Sequence, residues 1–278
     1  YQQSLVDAVY ASWASSQTRG LLQLPTGGGK TSIFSHIASE AIACGQRVLM
    51  IAHRTELITQ GARRLVNVAG CPVGIVQAGS LALPLAPIQV GSVQTLARRL
   101  DRLGRFDLVI IDEAHHAVAN SYRRVLQAIA PSYTLGVTAT PQRLDGGGFD
   151  ELFDALICGA TMRELIDQGY LSPYRYFAGE AMATNGAATR AGDWSADELA
   201  RLNNAHTLSG NLVESYRAHA KGKRCVVFAI NVDHSKAIAQ RYSDAGIPAA
   251  HLDGSTPAGD RSIILQRFSA GEILVLSN

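Results

Sequence analysis

Residues 21–24 form an apolar run of strand length, after which the chain breaks into Pro25-Thr26-Gly27-Gly28-Gly29-Lys30-Thr31. Apolar residues then return with helical period at Ile33, Phe34, Ile37, Ala38, Ala41 and Ile42. A strand, a glycine-rich turn and a helix in that order demand an α/β layer, and they form the context in which a phosphate-binding loop works. Glycines let backbone N–H groups converge on phosphate oxygens without Cβ interference, and the helix start adds partial positive charge. Lys30 supplies a point charge for the β- and γ-phosphates, and the Thr31 hydroxyl is placed to ligate Mg²⁺. Thr26, Gly27, Gly28, Gly29, Lys30 and Thr31 are therefore the candidate ATP-binding residues. Leu24 stands where the general Gly-x-x-x-x-Gly-Lys-Ser/Thr pattern has its first glycine. A glycine-rich turn beside a solvated lysine is the competing reading.

The same alternation runs along the chain. Residues 47–52, 88–91, 108–111 and 133–138 read as strands, and Leu57, Ile58, Ala62, Leu65 and Val66 form a second helical stripe. Continuous apolar strands between helices predict a mainly parallel sheet covered on both faces. Residues 179–195, rich in Ala, Gly and Thr without period, read as a loop or β-turn excursion. Beyond them a helix over 205–220, a strand over 224–230, a helix over 232–245, a strand over 248–252, a helix over 257–268 and a strand over 273–276 make a second α/β unit. The predicted domains are 1–172 and 173–278.

Residues 108–111 are continuously apolar and end in Asp112-Glu113-Ala114-His115. Two carboxylates at the carboxyl end of a buried strand lie where α/β sheets bind ligands. Asp112 is the candidate Mg²⁺ holder and Glu113 the candidate orienter or base for an attacking water, so Lys30, Asp112 and Glu113 form the predicted catalytic set. A charge pair at a helix start is the competing reading of the acids. His115 is a candidate coupling residue, with a packing or solvated histidine as its alternative.

Composition narrows the partners. The formal charge of +2 over 278 residues excludes a polybasic binder, so any nucleic-acid contact must come from a local groove. No window approaches the ~18 apolar residues of a membrane span, and no secretory leader is visible, which gives a cytoplasmic expectation. Cys44, Cys71, Cys158 and Cys225 are too widely spaced for a zinc site or a small disulfide scaffold and are expected to be buried, reduced thiols.

Taken together, these segments resemble the motifs of a superfamily-two helicase of the DEAH type, in the group of RadD-like repair helicases and restriction-enzyme motor subunits (ResIII). Residues 25–31 resemble motif I, Ile51-Ala52-His53-Arg54-Thr55-Glu56-Leu57 motif Ia, and Val90-Gly91-Ser92-Val93-Gln94-Thr95-Leu96 motif Ib. Asp112-Glu113-Ala114-His115 resembles motif II, Thr138-Ala139-Thr140-Pro141 motif III, residues 226–229 motif IV and residues 273–278 the opening of motif V. The resemblance implies tandem RecA-like domains, the second incomplete, with ATP in the cleft between them and nucleic acid across their top. It implies that Gln2 reads adenine. Arg54 and Thr95 at helix starts can hold strand phosphates, with capping or solvation as their alternative, and Thr138 and Thr140 can relay phosphate state, with β-propensity as theirs.

The implied function is an ATP-dependent helicase or translocase, most directly on DNA with RNA as an open partner. A duplex-DNA translocase subunit of a restriction or remodelling complex, and a P-loop switch or phosphotransferase without nucleic acid, are the alternatives. The family's motif VI, source of its arginine finger, lies beyond Asn278. The chain is accordingly expected to be part of a longer protein, weakly active alone, with its final apolar strand uncovered and its backbone unpaired.

Overall fold

A computed structural model describes residues 1–52, 55–77, 85–141, 149, 151–177, 189–190, 193–194 and 212–278. The chain separates into two compact units, Tyr1–Arg175 and Tyr176–Asn278.

In the first unit the elements run α1 (Gln2–Ala14), β1 (Arg19–Gln23), α2 (Lys30–Ala43), β2 (Val48–Ala52), α3 (Thr55–Ala69), β3 (Val73–Val76), β4 (Ile88–Ser92), α4 (Val93–Ala97), β5 (Leu108–Asp112), α5 (Asn120–Ile129), β6 (Tyr133–Thr138), β7 (Ala155–Cys158) and α6 (Met162–Asp167). The strands form one seven-stranded sheet in the order β3-β4-β2-β5-β6-β1-β7, and every pairing is parallel. Alternate residues of a strand face opposite sides. Leu22, Met50, Ile110 and Val137 accordingly pack beneath α1, α2 and α3, while Leu21, Leu49, Ile51, Val109 and Ile111 pack on the face of α4 and α5. Both faces are buried, which is why β2 and residues 108–111 of β5 read as unbroken apolar runs.

Local pattern did not point to α1, β3 or β7. The α1 helix buries only Leu5, Val6, Val9 and Ser12, and β7 is a half-exposed edge beside β1 with a thin apolar signal.

In the second unit a short antiparallel pair, β8 (Thr189–Arg190) and β9 (Asp193–Trp194), lies within the predicted loop excursion. Then follow α7 (Leu212–His219), β10 (Cys225–Val227), α8 (Val232–Asp244), β11 (Ala249–His251), α9 (Ala258–Ala270) and β12 (Val275–Ser277). Residues 205–211 of the predicted helix lie outside the described residues. The three-stranded sheet has the order β10-β12-β11, so the final strand is central. It pairs in parallel on both sides and is fully buried, which corrects the expectation that it lacks partners. The core here is small: Tyr216, Ile238, Tyr242, Ile247 and Val275. No residue of α9 is buried, and Val226 and Phe228 are exposed.

The cysteine expectation is also corrected. All four are free, but Cys44 and Cys158 are exposed and Cys71 and Cys225 half-buried. Cys44 closes a helix and Cys158 sits on the half-exposed face of an edge strand, where burial is not on offer. Among the described residues no helix is long and apolar enough to cross a membrane.

Candidate active site

The carboxyl ends of β1, β6 and β5 are neighbours in the sheet, and the loops leaving them carry the residues singled out from sequence. After β1 the chain turns through Gly27 (φ 83°) and Gly29 (φ 88°), left-handed conformations that favour glycine. The Gly28 N–H donates to Pro25 O at 3.0 Å. A Cβ on Gly28 would stand 2.8 Å from Leu24 Cγ, so the leucine that departs from the general motif fills the floor of the loop and itself requires glycine above it. Helix α2 starts at Lys30 with no side chain capping it, which leaves its first amides for an anion.

Lys30 Nζ donates to Leu24 O at 3.0 Å, one of the three N–H bonds an ammonium can make. Burial lowers the Lys30 pKa from its ordinary value, and the charges of Glu113 and Asp112 partly restore it. The ammonium and the two carboxylates thus share one field. Thr31 lies half-buried in the first turn of α2, and Thr26 is exposed on the loop. Gln2 lies against the same loop: its Nε2 is 3.4 Å from Gly28 O, and Tyr1 Oη donates to that carbonyl at 2.9 Å.

The Asp112 carboxylate accepts the Glu113 N–H at 3.0 Å through Oδ1. Burial raises its pKa and the Glu113 charge adds to that, against the Glu113 amide, Lys30 and His115. Glu113 adopts φ 51°, ψ 52°, a left-handed conformation that costs roughly 1–2 kcal/mol in a non-glycine residue. The kink ends β5 sharply and buries Ala114 directly behind it.

Asp112 pairs with Val137 in register, which brings the next residue, Thr138, alongside His115. His115 Nδ1 lies 3.1 Å from Thr138 Oγ1 and 3.3 Å from Glu113 Oε2. Thr138 Oγ1 accepts the Thr140 N–H and donates to Thr140 O, each at 3.1 Å. A continuous polar chain therefore runs from Glu113 through His115 and Thr138 to Thr140.

The two residues assigned to nucleic acid fare differently. Arg54 lies outside the described residues. Thr95 stands in the first turn of α4, where its N–H donates to the capping Ser92 Oγ at 3.2 Å and its hydroxyl accepts from Ser92 at 2.8 Å. Its amide is engaged in the cap, and only its own O–H remains to donate. A concavity of about 480 Å³ lined by Tyr10, Trp13, Glu40 and Tyr133 lies at the start of β6, the end opposite the site, so side-chain chemistry rather than cavity size identifies the site.

Tyr1 and Leu171 also reach the phosphate loop, with Tyr170 against Tyr1, and sequence reasoning assigned them nothing. The one local signal was Gly169, which closes α6 ahead of an aromatic residue.

Residues 1–143 match the family described as type III restriction enzyme, res subunit. A 51.5 kDa protein of Lactococcus phage (isolate 7-9) is 33% identical over 93% of this chain and 54% of its own length. The DNA 3'-5' translocase XPB2 of Sulfurisphaera tokodaii is 32% identical over 57% of this chain and 36% of that protein. In fold, the chain matches the ATP-dependent type ISP restriction-modification enzyme LlaBIII bound to DNA, with a TM-score of 0.73 and 17% identity over 100% of this chain and 24% of that one. The chain spans about half the length of the curated relatives that match nearly all of it. It belongs to the type III restriction enzyme res subunit family and has a RecA-like α/β fold.

Proposed function

We propose that this chain carries the ATP-binding site of a nucleic-acid motor, a helicase or translocase acting on DNA that couples ATP hydrolysis to movement along a strand. The observation that carries the reading is the uncapped, glycine-lined start of α2 at Lys30, with Asp112 and Glu113 at the carboxyl end of β5 in the same parallel sheet. The backbone N–H groups of the loop and the Lys30 ammonium hold the charge of the β- and γ-phosphates. Bound Mg²⁺ neutralises charge on those phosphates as a Lewis acid, and Thr31 and Asp112 are the residues that would hold it. Glu113 orients the attacking water and takes its proton. Gln2, beside the loop, reads the adenine.

The chain from Glu113 to Thr140 gives phosphate state a path out of the site: His115 feels the carboxylate through the same nitrogen that meets Thr138. Arg54 and the Thr95 hydroxyl serve as phosphate contacts for the strand, which carry little base information.

Membership in a restriction-enzyme family favours a second reading, translocation on duplex DNA without strand separation. The test is the ATP hydrolysis rate of the whole protein with single-stranded DNA, duplex DNA and RNA. Stimulation by single-stranded DNA supports the first reading and stimulation by duplex alone the second. Rates indifferent to all three would assign the site to a switch or phosphotransferase.

A further inference from the structure

Tyr170 and Leu171 follow α6 and are pinned to it twice, since both backbone N–H groups donate to Leu165 O, at 2.8 and 3.0 Å. Leu165 is fully buried, and Gly169 at φ 78° makes the turn. Of the two side chains, Leu171 meets the phosphate loop directly and Tyr170 meets Tyr1, which itself touches the loop. A Cβ on Gly27 would stand 2.9 Å from Leu171 Cδ2, so Leu171 packs directly against the loop. The Tyr170 ring meets the Tyr1 ring edge-to-face with centroids 4.8 Å apart, and Tyr1 in turn holds the Gly28 carbonyl.

Tyr170 is nevertheless 61% exposed. A large ring kept in water on a turn fixed by two hydrogen bonds contributes little to the core, and its edge contact with Tyr1 holds it next to the tyrosine that binds the loop. The loop can recognise only phosphates; a base joined to those phosphates must lie over the loop's neighbours. We propose that Tyr170 is a specificity-determining residue of the nucleotide site, the aromatic platform on which the base stacks. The proposal rests on the reading of residues 26–31 as a triphosphate loop.

The test compares binding of ATP and of inorganic tripolyphosphate, which has no base, to the full chain by calorimetry. Tyr170→Ala is expected to weaken ATP about tenfold, the scale of one base–aromatic stack, and to leave tripolyphosphate unchanged. Tyr170→Phe should bind ATP as the original does. Tyr170→Leu, which keeps the packing on Tyr1 without a π-face, should behave as the alanine variant. Equal weakening of both ligands by Tyr170→Ala would make the residue a prop for the loop and overturn the proposal, as would unchanged ATP affinity in the alanine and leucine variants. Failure of the original chain to bind tripolyphosphate at all contradicts the loop reading instead.

Discussion

Each unit sets a histidine at the carboxyl end of its sheet between a hydroxyl and a carboxylate. In the first, His115 Nδ1 faces both Thr138 and Glu113, at 3.1 and 3.3 Å, and the His115 and Glu113 side chains are 28% and 37% exposed. In the second, His251 divides its nitrogens: Nδ1 lies 2.7 Å from Ser235 Oγ and Nε2 3.0 Å from Asp253 Oδ2. Ser235 also bonds Ser277 on the central strand at 2.8 Å and is fully buried. Asp253 is saturated further by Ser255 and Thr256, and the hydroxyl of Ser255 followed by His251 holds its carboxyl well below the usual carboxylate range.

A network whose members are all satisfied rigidifies its surroundings. One with a strained residue, a shared nitrogen and exposed ends has groups left over for a ligand. The second cluster therefore ties α8, β11 and β12 together in a unit whose apolar core is small. The first lies in a unit whose sheet is already held by burial on both faces, where a single buried Leu or Ile contributes about 1.5–3 kcal/mol, and under the proposed function its spare groups serve the chemistry.

The largest break in this comparison should come from Glu113→Gln. It keeps a hydrogen-bonding side chain but loses the base, so the whole protein should bind ATP normally and turn it over at least ~10²-fold more slowly. Single-turnover hydrolysis checks it, and normal turnover would move the water-activating role elsewhere. Thr138→Val keeps volume and removes the hydroxyl that joins His115 to Thr140. We expect stimulation of the ATPase by nucleic acid to fall about tenfold, the scale of one broken hydrogen-bond junction, with ATP affinity unchanged. An unaltered ratio of stimulated to basal rate would make the polar chain a local brace.

For the second cluster, His251→Ala should destabilise its own unit by about 1–3 kcal/mol, because buried Ser235 loses a partner, and should leave ATP affinity alone. Hydrogen exchange of β11 and β12 reads the first effect and calorimetry the second; a loss of ATP affinity would erase the contrast between the clusters. The smallest effect on stability is expected from Asp112→Asn. The folded pKa of Asp112 is raised, so the native state holds this proton more tightly than the unfolded chain does. Its ionisation costs stability as pH rises above the ordinary carboxylate value, and the full cost is present at neutral pH. The variant should thus melt no lower than the original at pH 7, while its hydrolysis depends more weakly on Mg²⁺. A lower melting temperature would mean that the Asp112 charge stabilises the fold.

The strands at 48–52 and 108–111 were legible because burial on both faces writes an unbroken apolar run, and those at 21–24 and 133–138 because it writes a mainly apolar one, broken at Gln23 and at Thr134 and Gly136. The position of β12 was not, since which strands flank it depends on pairing across the chain. At the site, Lys30, Asp112, Glu113, His115, Thr138 and Thr140 stood out by type and spacing. Tyr1 and Tyr170 did not, because a ring that meets a loop 27 residues along the chain, and a second ring set edge-to-face on the first, leave no local period. Thr95 shows the converse: a Ser three residues ahead of it is a helix-cap pattern, and the cap occupies the amide that the phosphate reading needed.

The most direct test of the central claim measures ATP affinity and hydrolysis of the whole protein and of Lys30→Ala, with and without single-stranded DNA. Lys30 adds charge at the loop and almost nothing to the core, so the account predicts an unchanged melting temperature, ATP affinity lost, and DNA-stimulated hydrolysis reduced to background. Affinity and stimulated turnover equal to those of the original protein would contradict it.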